Sequence, residues 1–176
     1  YVKTAGDNTV MTAEQMKAVA DAVKALAAPA TVDFSEVVYE SETFPNSFKS
    51  NANLAGIVFP QNVTKTASAA FQKTGMTSVT LLKGISYGSN AFDSCASLVS
   101  VTVEEGVTEI GNYMFQNTKL TDVTLPNSVT KIGASAFNGC SLTTINFGQG
   151  VKTIENSAFQ NCGELTEIIL PDATET

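Results

Sequence analysis

A short internal repeat constrains the fold of this 176-residue chain more than any other feature. Its copies begin at positions 54, 76, 98, 120, 142 and 165, so their spacing is constant except for one extra position in the last interval. Segment 30–53 is a degenerate earlier copy, because its Phe48 precedes Phe71 by about one repeat length. Self-similarity at such a period is typical of solenoids, in which each repeat forms one layer of a stack. We call the segments 30–53, 54–75, 76–97, 98–119, 120–141 and 142–164 rungs 1 to 6, and an incomplete copy beginning at 165 follows rung 6.

Each copy contains the pattern of a short strand followed by a turn. The fourth and sixth residues are apolar and flank an outward residue, as in 123–125, and this period of two predicts a strand with one buried face. A Pro or Gly such as Pro126 often follows and is expected to end the strand. Four copies then carry an Ala-Phe pair, as at 136–137, which we interpret as a short helical turn whose ring fills the core.

A single rung is not expected to fold alone. Its roughly six apolar side chains contribute about 1.5–3 kcal/mol each on burial, whereas ordering its backbone costs about 1–2 kcal/mol per residue. Stacked rungs share one core and complete each other's strand hydrogen bonds, so their stability comes from their neighbours. Equivalent strands one period apart therefore predict a parallel sheet along one side of a right-handed coil.

The pattern of rung 5 carries a resemblance to a known family. The residues that carry it are Leu120, Val123, Leu125, Pro126, Val129, Ile132, Gly133, Ala136, Phe137 and Cys140. With their equivalents in other rungs, they resemble the leucine-rich repeats of the BspA-like, or Treponema-type, class of bacterial cell-surface proteins. The resemblance covers 54–171 well and 30–53 weakly. The chain departs from more general leucine-rich repeats in having Pro or Gly and then Val where those carry Asn or Cys after the strand.

The resemblance has implications for both fold and location. It implies a leucine-rich-repeat right-handed solenoid, with a parallel β-sheet on one side and short helical turns and loops on the other. It also implies an adhesin-like protein that is extracellular or exposed at the cell surface, and whose signal peptide has been removed.

The two ends of the chain differ from the repeats. Residues 1–29 are predicted to form an N-terminal capping helix, and residues 30–176 a solenoid of about six rungs whose first is degenerate and whose last is incomplete. The helix is predicted over 12–28, with a capping box of Thr12 and Gln15 at its start and Pro29 at its end. An apolar stripe is expected to cover the open N-terminal side of the stack. The stripe consists of Met16, Val19, Ala20, Val23, Leu26 and Ala27.

The last copy repeats the strand pattern at Leu165, Ile168 and Leu170 and would leave an open edge. This predicts either that the chain is a piece of a longer protein or that two chains associate end to end through the open C-terminal rung.

The charged and reactive residues argue against several functions. All ten cationic side chains are lysines, and the chain has no His, Arg or Trp. Without His there is no imidazole general base, and a net charge of −7 disfavours nucleic acid as a partner. Ser128 and Lys131 match a Ser-x-x-Lys nucleophile motif, and Glu104-Glu105 could supply carboxylates, but both lie at repeat or turn positions that we interpret as structural. We therefore expect no enzymatic activity, catalytic residue, metal site, cofactor, nucleic-acid partner or membrane insertion.

The three cysteines occupy one recurring position. Cys95, Cys140 and Cys162 each lie shortly after the repeat Phe, in a slot that Thr74 and Thr118 fill in other rungs. A slot shared by Cys and Thr indicates a small buried packing site, so we predict free thiols. A disulfide between Cys140 and Cys162, which lie in adjacent rungs, is the alternative.

Outward residues of the predicted strands form the candidate binding site. They are mostly polar and uncharged, and the exposed sheet is the surface that solenoids commonly use for partners. We predict a non-enzymatic binding module that recognises protein or glycan through this face. A structural spacer or assembly module of a longer surface protein is the alternative. The candidate ligand-binding residues are Ser78, Thr80, Ser100, Thr102, Asp122, Thr124, Thr144 and Asn146.

Overall fold

The chain forms a parallel β-solenoid of about six turns in a computed structural model that describes residues 2–3 and 10–171. In chain order its elements are β1 (Val2–Lys3), β2 (Val10–Met11), α1 (Ala13–Lys24), β3 (Ala30–Asp33), β4 (Val38–Tyr39), β5 (Thr43–Phe44), β6 (Leu54–Val58), β7 (Lys65–Thr66), β8 (Ser78–Leu81), β9 (Ser100–Val103), β10 (Glu109–Ile110), β11 (Asp122–Thr124), β12 (Lys131–Ile132), β13 (Thr144–Asn146) and β14 (Thr153–Ile154).

The predicted register of the repeat is confirmed. Val79 pairs with Val101, and Val123 pairs with Ile145, in parallel strands that lie one repeat apart. A second column of short strands joins the rungs in the same register and pairs Ile110 with Ile132. Equivalent letters of the repeat therefore occupy equivalent places in neighbouring rungs.

A column of phenylalanine rings runs through the core. Phe71, Phe92, Phe115, Phe137 and Phe159 stack on one another with centroids 5.3–5.6 Å apart. In rung 1 the column differs from the expected spacing, because the ring of Phe44, and not that of Phe48, stacks on Phe71 at 5.6 Å. Phe48 extends the column beyond Phe44, at 5.9 Å. These stacked rings fill the core on this side of the coil.

Turns form around each Ala-Phe pair on the side expected, but they are not helical, and α1 is the one helix of the described residues. These segments are turns in which two residues per rung adopt left-handed backbone conformations, such as Tyr113 and Asn117, both with φ of 55°. The amides of Tyr113, Phe115 and Asn117 donate to carbonyl oxygens of rung 5 at 2.8–2.9 Å. A helix directs its amides along its own axis, so it could not make these bonds. The turns therefore form a hydrogen-bonded column between rungs, which we call the turn column.

The N-terminal helix is confirmed, with a shorter extent than predicted. The capping box of Thr12 and Gln15 is present, but α1 ends at Lys24, and Leu26 is 40% exposed. The side chain of Asn53 donates to the carbonyl oxygens of Lys24 and Leu26 at 3.0 and 2.9 Å, which satisfies backbone groups where the helix ends. Strands β1 and β2 pair with β3 and β4 of rung 1, so this segment adds one more layer to the stack.

The predicted strand at the C-terminal end is not formed. Within the described residues 165–171 the chain has no regular secondary structure. Ile168 and Leu170 are 41% and 37% exposed, so they lack the core contacts that hold the equivalent positions of other rungs. Among the described residues, no helix is long and apolar enough to span a bilayer.

Candidate binding face and its cleft

All eight candidate residues lie exposed on one face of the coil. The strand pairings place Ser78 beside Ser100 and Thr80 beside Thr102. Two rungs further on, Asp122 lies beside Thr144, and the amide of Asn146 approaches the Thr124 hydroxyl at 3.5 Å. Residues from separate repeats therefore form two columns within each pair of strands, because their side chains project from the same face of neighbouring strands. We call the exposed side of β8, β9, β11 and β13 the strand face.

The sheet behind this face is interrupted, contrary to the expectation of one parallel sheet. In residues 2–3 and 10–171 the strands on this side form three separate sheets: β1-β3-β6, β8-β9 and β11-β13. At the first interruption, between β6 and β8, rungs 2 and 3 remain joined on their other sides. The amide of Phe71 donates to the carbonyl oxygen of Ala91 at 2.9 Å in the turn column, and that of Thr66 donates to Ser86 at 2.9 Å. The opening is therefore confined to the strand side.

The opening between β6 and β8 contains a cavity of about 380 Å³, and we call this cavity the cleft. Its rims are β6, with Gly56 and Ile57, and β8, with Ser78 and Thr80. Apolar side chains lie between the rims: Phe59, Phe71, Met76, Val79, Leu82 and Phe92. None of the described residues that line the cleft is charged. The cleft thus combines an apolar interior with hydroxyl groups at its mouth.

The structure divides the candidate residues among three places. Four line the cleft, namely Ser78, Thr80, Ser100 and Thr102. Thr144 and Asn146 line a second cavity of about 370 Å³ next to the C-terminal segment, together with Glu167 and Ile169. Asp122 and Thr124 lie on the strand face between the two cavities and line neither of them.

Sequence reasoning missed the contribution of β6 and of the cleft interior. The signal was present in the repeat itself, because Phe92 comes one position earlier in its copy than Phe71 and Phe115 do in theirs. Rung 3 therefore reaches its core ring early. Gly56 also occupies a place where rungs 3 to 6 carry Ser, Asp or Thr, and Met76 occupies a place where rungs 2, 4, 5 and 6 carry Leu.

The residues of the Ser-x-x-Lys motif make structural contacts. The Ser128 hydroxyl donates to the carbonyl oxygen of Val107 and accepts from the Gly106 amide, both at 2.8 Å. Lys131 instead forms an ion pair with Glu155, with 2.7 Å between the charged atoms. Glu104 accepts a hydrogen bond from the amide of Lys83 at a turn. Among the described residues, no group of three or more Cys, Asp or Glu side chains is arranged to hold a metal ion.

The prediction of buried free thiols is confirmed, and the Cys140–Cys162 disulfide is not formed. The thiol of Cys140 donates to the carbonyl oxygen of Phe115 in the rung below at 3.0 Å. Cys95 and Cys162 make the same bond to Phe71 and Phe137 at 3.0 and 3.1 Å. Burial raises the pKa of Cys140 to about 11 and also raises the pKa values of the other two thiols. These groups are therefore poor nucleophiles that join adjacent rungs.

We expect the wild-type protein to lose stability as the pH rises from about 9 to about 11. The Cys140 thiol has a higher pKa when folded than the ordinary value of 9.0, so its stabilising effect is complete below that value and declines as the pH approaches 11. A Cys140→Thr variant, which copies the residue at 118, should show a smaller decline. Urea unfolding across this pH range measures the difference, and equal slopes for the two proteins would contradict the prediction.

Comparison with known proteins adds a family match. The profile of the family described as "BspA type Leucine rich repeat region" matches the chain over residues 31–97 and 85–176, and that family has the pattern of six copies. No curated protein matches the chain.

Two solved structures share the fold. One is described as "Pneumococcal vaccine antigen PcpA"; it is 17% identical, has a TM-score of 0.56, and the match covers 82% of this chain and 51% of that one. The other is a "leucine rich cell surface protein" from Faecalibacterium prausnitzii A2-165; it is 23% identical, has a TM-score of 0.50, and the match covers 82% and 48% of the two chains. The chain thus spans about half the length of the solved structures that it matches.

Proposed function

This chain belongs to the BspA-type leucine-rich-repeat family, and from that premise we propose that it is a non-enzymatic, adhesin-like binding module of the bacterial cell surface. Leucine-rich-repeat families generally serve as binding or structural modules, and no catalytic family is indicated. In the proposed role, the strand face recognises a protein or a glycan outside the cell. The cell-surface description of the Faecalibacterium structure supports the proposed location.

One observation carries the proposal: the strand face presents eight exposed side chains from four rungs in two regular columns. Seven of the eight are uncharged hydroxyl or amide residues, and Asp122 is the exception. Such groups can form hydrogen bonds to a ligand without the large desolvation cost of burying charges. The extended surface that a solenoid forms suits a macromolecular ligand.

We expect a Thr80→Glu, Thr102→Glu, Thr124→Glu variant to lose at least about tenfold in affinity for its ligand. Three carboxylates on the strand face would be buried without partners when the ligand binds. Arrays of extracellular-matrix proteins and of glycans, probed with fluorescently labelled wild-type protein, identify the ligand, and titration measures the loss. The melting temperature should shift by no more than about 2 °C for each substitution, because all three side chains are exposed.

A matched control carries Glu at three exposed threonines of another side of the same coil, namely Thr64, Thr108 and Thr130. It has the same added charge and should bind like the wild type. If binding survives the substitutions at 80, 102 and 124 but is lost in the control, the ligand is recognised by the side of the coil that carries the control residues. That result would refute the proposal.

The alternative is a structural spacer or assembly module of a longer surface protein, including end-to-end self-association. Ile168, Ile169 and Leu170 favour it, because these apolar side chains are 41%, 72% and 37% exposed at the end of the stack. A spacer predicts no array ligand for the wild-type protein, and the same experiment therefore separates the two functions.

A further inference from the structure

The edges of the cleft point to one class of ligand, and this inference rests on the proposed function. We infer that the cleft receives an extended, uncharged segment of a partner protein, flanked by basic residues, as an additional β-strand between β6 and β8. Addition of a strand to an open sheet edge is a general mode of peptide recognition, in which backbone hydrogen bonds supply affinity and pockets for alternate side chains supply specificity.

The backbone of β8 has hydrogen-bonding groups directed into the cleft. The carbonyl oxygens of Thr77 and Leu81 accept bonds from Val99 and Glu104, on the side of β9. Alternate residues of a strand direct their N–H and C=O groups to opposite sides. The groups of Ser78 and Thr80 therefore point toward β6, and no hydrogen bond joins β6 to β8 in the described chain.

The opposite rim, β6, also has backbone hydrogen-bonding groups directed into the cleft. The carbonyl oxygen of Val58 accepts from the amide of Phe34, on the side of β3. By alternation, the backbone groups of Ile57 face the cleft. An inserted strand would thus find donors and acceptors on both rims. A glycan has no extended backbone of amides whose N–H and C=O groups alternate in direction, so it does not match this arrangement.

The cleft also has places for alternate side chains. Successive side chains of an inserted strand would point inward and outward by turns. Inward ones would meet the half-buried apolar side chains of Ile57, Phe59 and Val79, which line the cleft. Outward ones would lie beside the hydroxyl groups of Ser78 and Thr80, which are already exposed. An occupant of alternating apolar and small polar residues fits both environments.

The charges in and around the cleft further restrict which segment can bind. The lining of the cleft carries no charge in the part of the chain that the structure describes, so a charged group buried there would have no ionic partner. The chain as a whole has a net charge of −7, which attracts cationic groups outside the cleft. These two facts favour an uncharged core of the ligand with basic residues on either side.

A peptide taken from the chain itself supplies the probe. Residues 98–103, Leu-Val-Ser-Val-Thr-Val, include β9, the strand that pairs with β8. We would flank this sequence with lysines, label it with a fluorophore and titrate it with the full chain. The comparison peptide has the same sequence with N-methyl groups on alternate residues, which remove the hydrogen-bond donors of one strand edge. We expect the methylated peptide to bind at least about tenfold more weakly.

A pair of proline variants tests the rim of the cleft. Thr80→Pro removes an amide that faces the cleft and should weaken binding of the unmethylated peptide at least about tenfold. Thr108→Pro is the control, because Thr108 is an exposed threonine on another side of the coil, outside the cleft, and binding should be unchanged. Amide hydrogen exchange gives a readout that needs no variant: the peptide should protect Ile57, Ser78 and Thr80.

The outcomes distinguish this inference from the proposed function. Equal binding of the two peptides, or no added protection at these three amides, overturns the inference. Competition between a glycan and the peptide for the cleft, with the glycan as the array ligand, also overturns it. In each case the proposed function stands if the Glu substitutions at 80, 102 and 124 still abolish array binding.

Discussion

Replacement of Phe115 by alanine is expected to lower the free energy of unfolding by about 3–5 kcal/mol. The ring is fully buried in rung 4 and stacks on Phe92 and Phe137, each at 5.6 Å. Truncation removes its apolar contacts, leaves a cavity in the centre of the ring column and breaks two aromatic pairs. Since each rung depends on its neighbours, the loss weakens the interfaces with both rung 3 and rung 5.

Thermal and urea unfolding measure this effect, which corresponds to a fall in melting temperature of about 6–20 °C. Tyr113→Ala is the control, because Tyr113 is an aromatic residue of the same turn but is 39% exposed. It should cost much less than Phe115→Ala. Equal losses in the two variants would mean that the ring column does not hold the rungs together.

Replacement of Gly133 by valine is the second large effect that we expect, with a loss of about 1–3 kcal/mol from overpacking alone. A Cβ at residue 133 would come within 2.7 Å of the Asn112 backbone nitrogen and within 2.9 Å of the Gly111 carbonyl carbon. The rungs must therefore move apart at this point. That movement would also weaken the hydrogen bond from the Gly133 amide to the carbonyl oxygen of Ile110, which is 2.8 Å long.

Urea unfolding compares this variant with Gly163→Val. A Cβ at residue 163 would meet no atom within 4 Å, so the control adds the same side chain in open space. We expect the control to remain within about 0.5 kcal/mol of the wild type. A Gly133→Val protein as stable as the control would show that the rungs separate without cost at this position.

The strand register could be predicted because it follows from the regular recurrence of the same residue types in successive copies. Val123 and Ile145 recur at the same position of consecutive copies, and only a coil with one copy per turn places them side by side. The buried position shared by Cys and Thr was predictable for the same reason. Thr118 and Cys140 occupy equivalent positions of adjacent rungs, and the Thr118 Oγ1 and Cys140 Sγ atoms lie 3.3 Å apart. Periodicity thus specifies which residues are neighbours and which of them face the core.

Features that depend on contacts between rungs were not predictable. An Ala-Phe pair has the composition of a helical turn, but the bonds from one rung to the next favour left-handed residues such as Ser135 and Asn161, with φ of 52° and 59°. The end of α1 at Lys24 is another case, because the side chain of Asn53, far along the chain in rung 1, bonds to its last carbonyl. The sequence of one copy does not indicate which residues of another rung will be its hydrogen-bond partners.

One part of the candidate site could be predicted from the sequence and another part could not. The exposure of Thr80 and its seven companions follows from strand alternation. The opening between β6 and β8 does not, because it depends on which strands of neighbouring rungs pair, and that is a contact between rungs. That the eight residues bind a ligand stays a prediction until the Glu variants are measured.

The unequal attachment of rungs 2 and 3 has a mechanical consequence. On the turn column, three amides, those of Ala69, Phe71 and Lys73, donate to the next rung at 2.8–3.0 Å, whereas β6 and β8 are not bonded to each other in the described chain. Tension applied to the two ends of the stack would therefore open this junction on its strand side, by bending about an axis near the turn column. The cleft would widen under such a load, so pulling on the protein would change the accessibility of its interior.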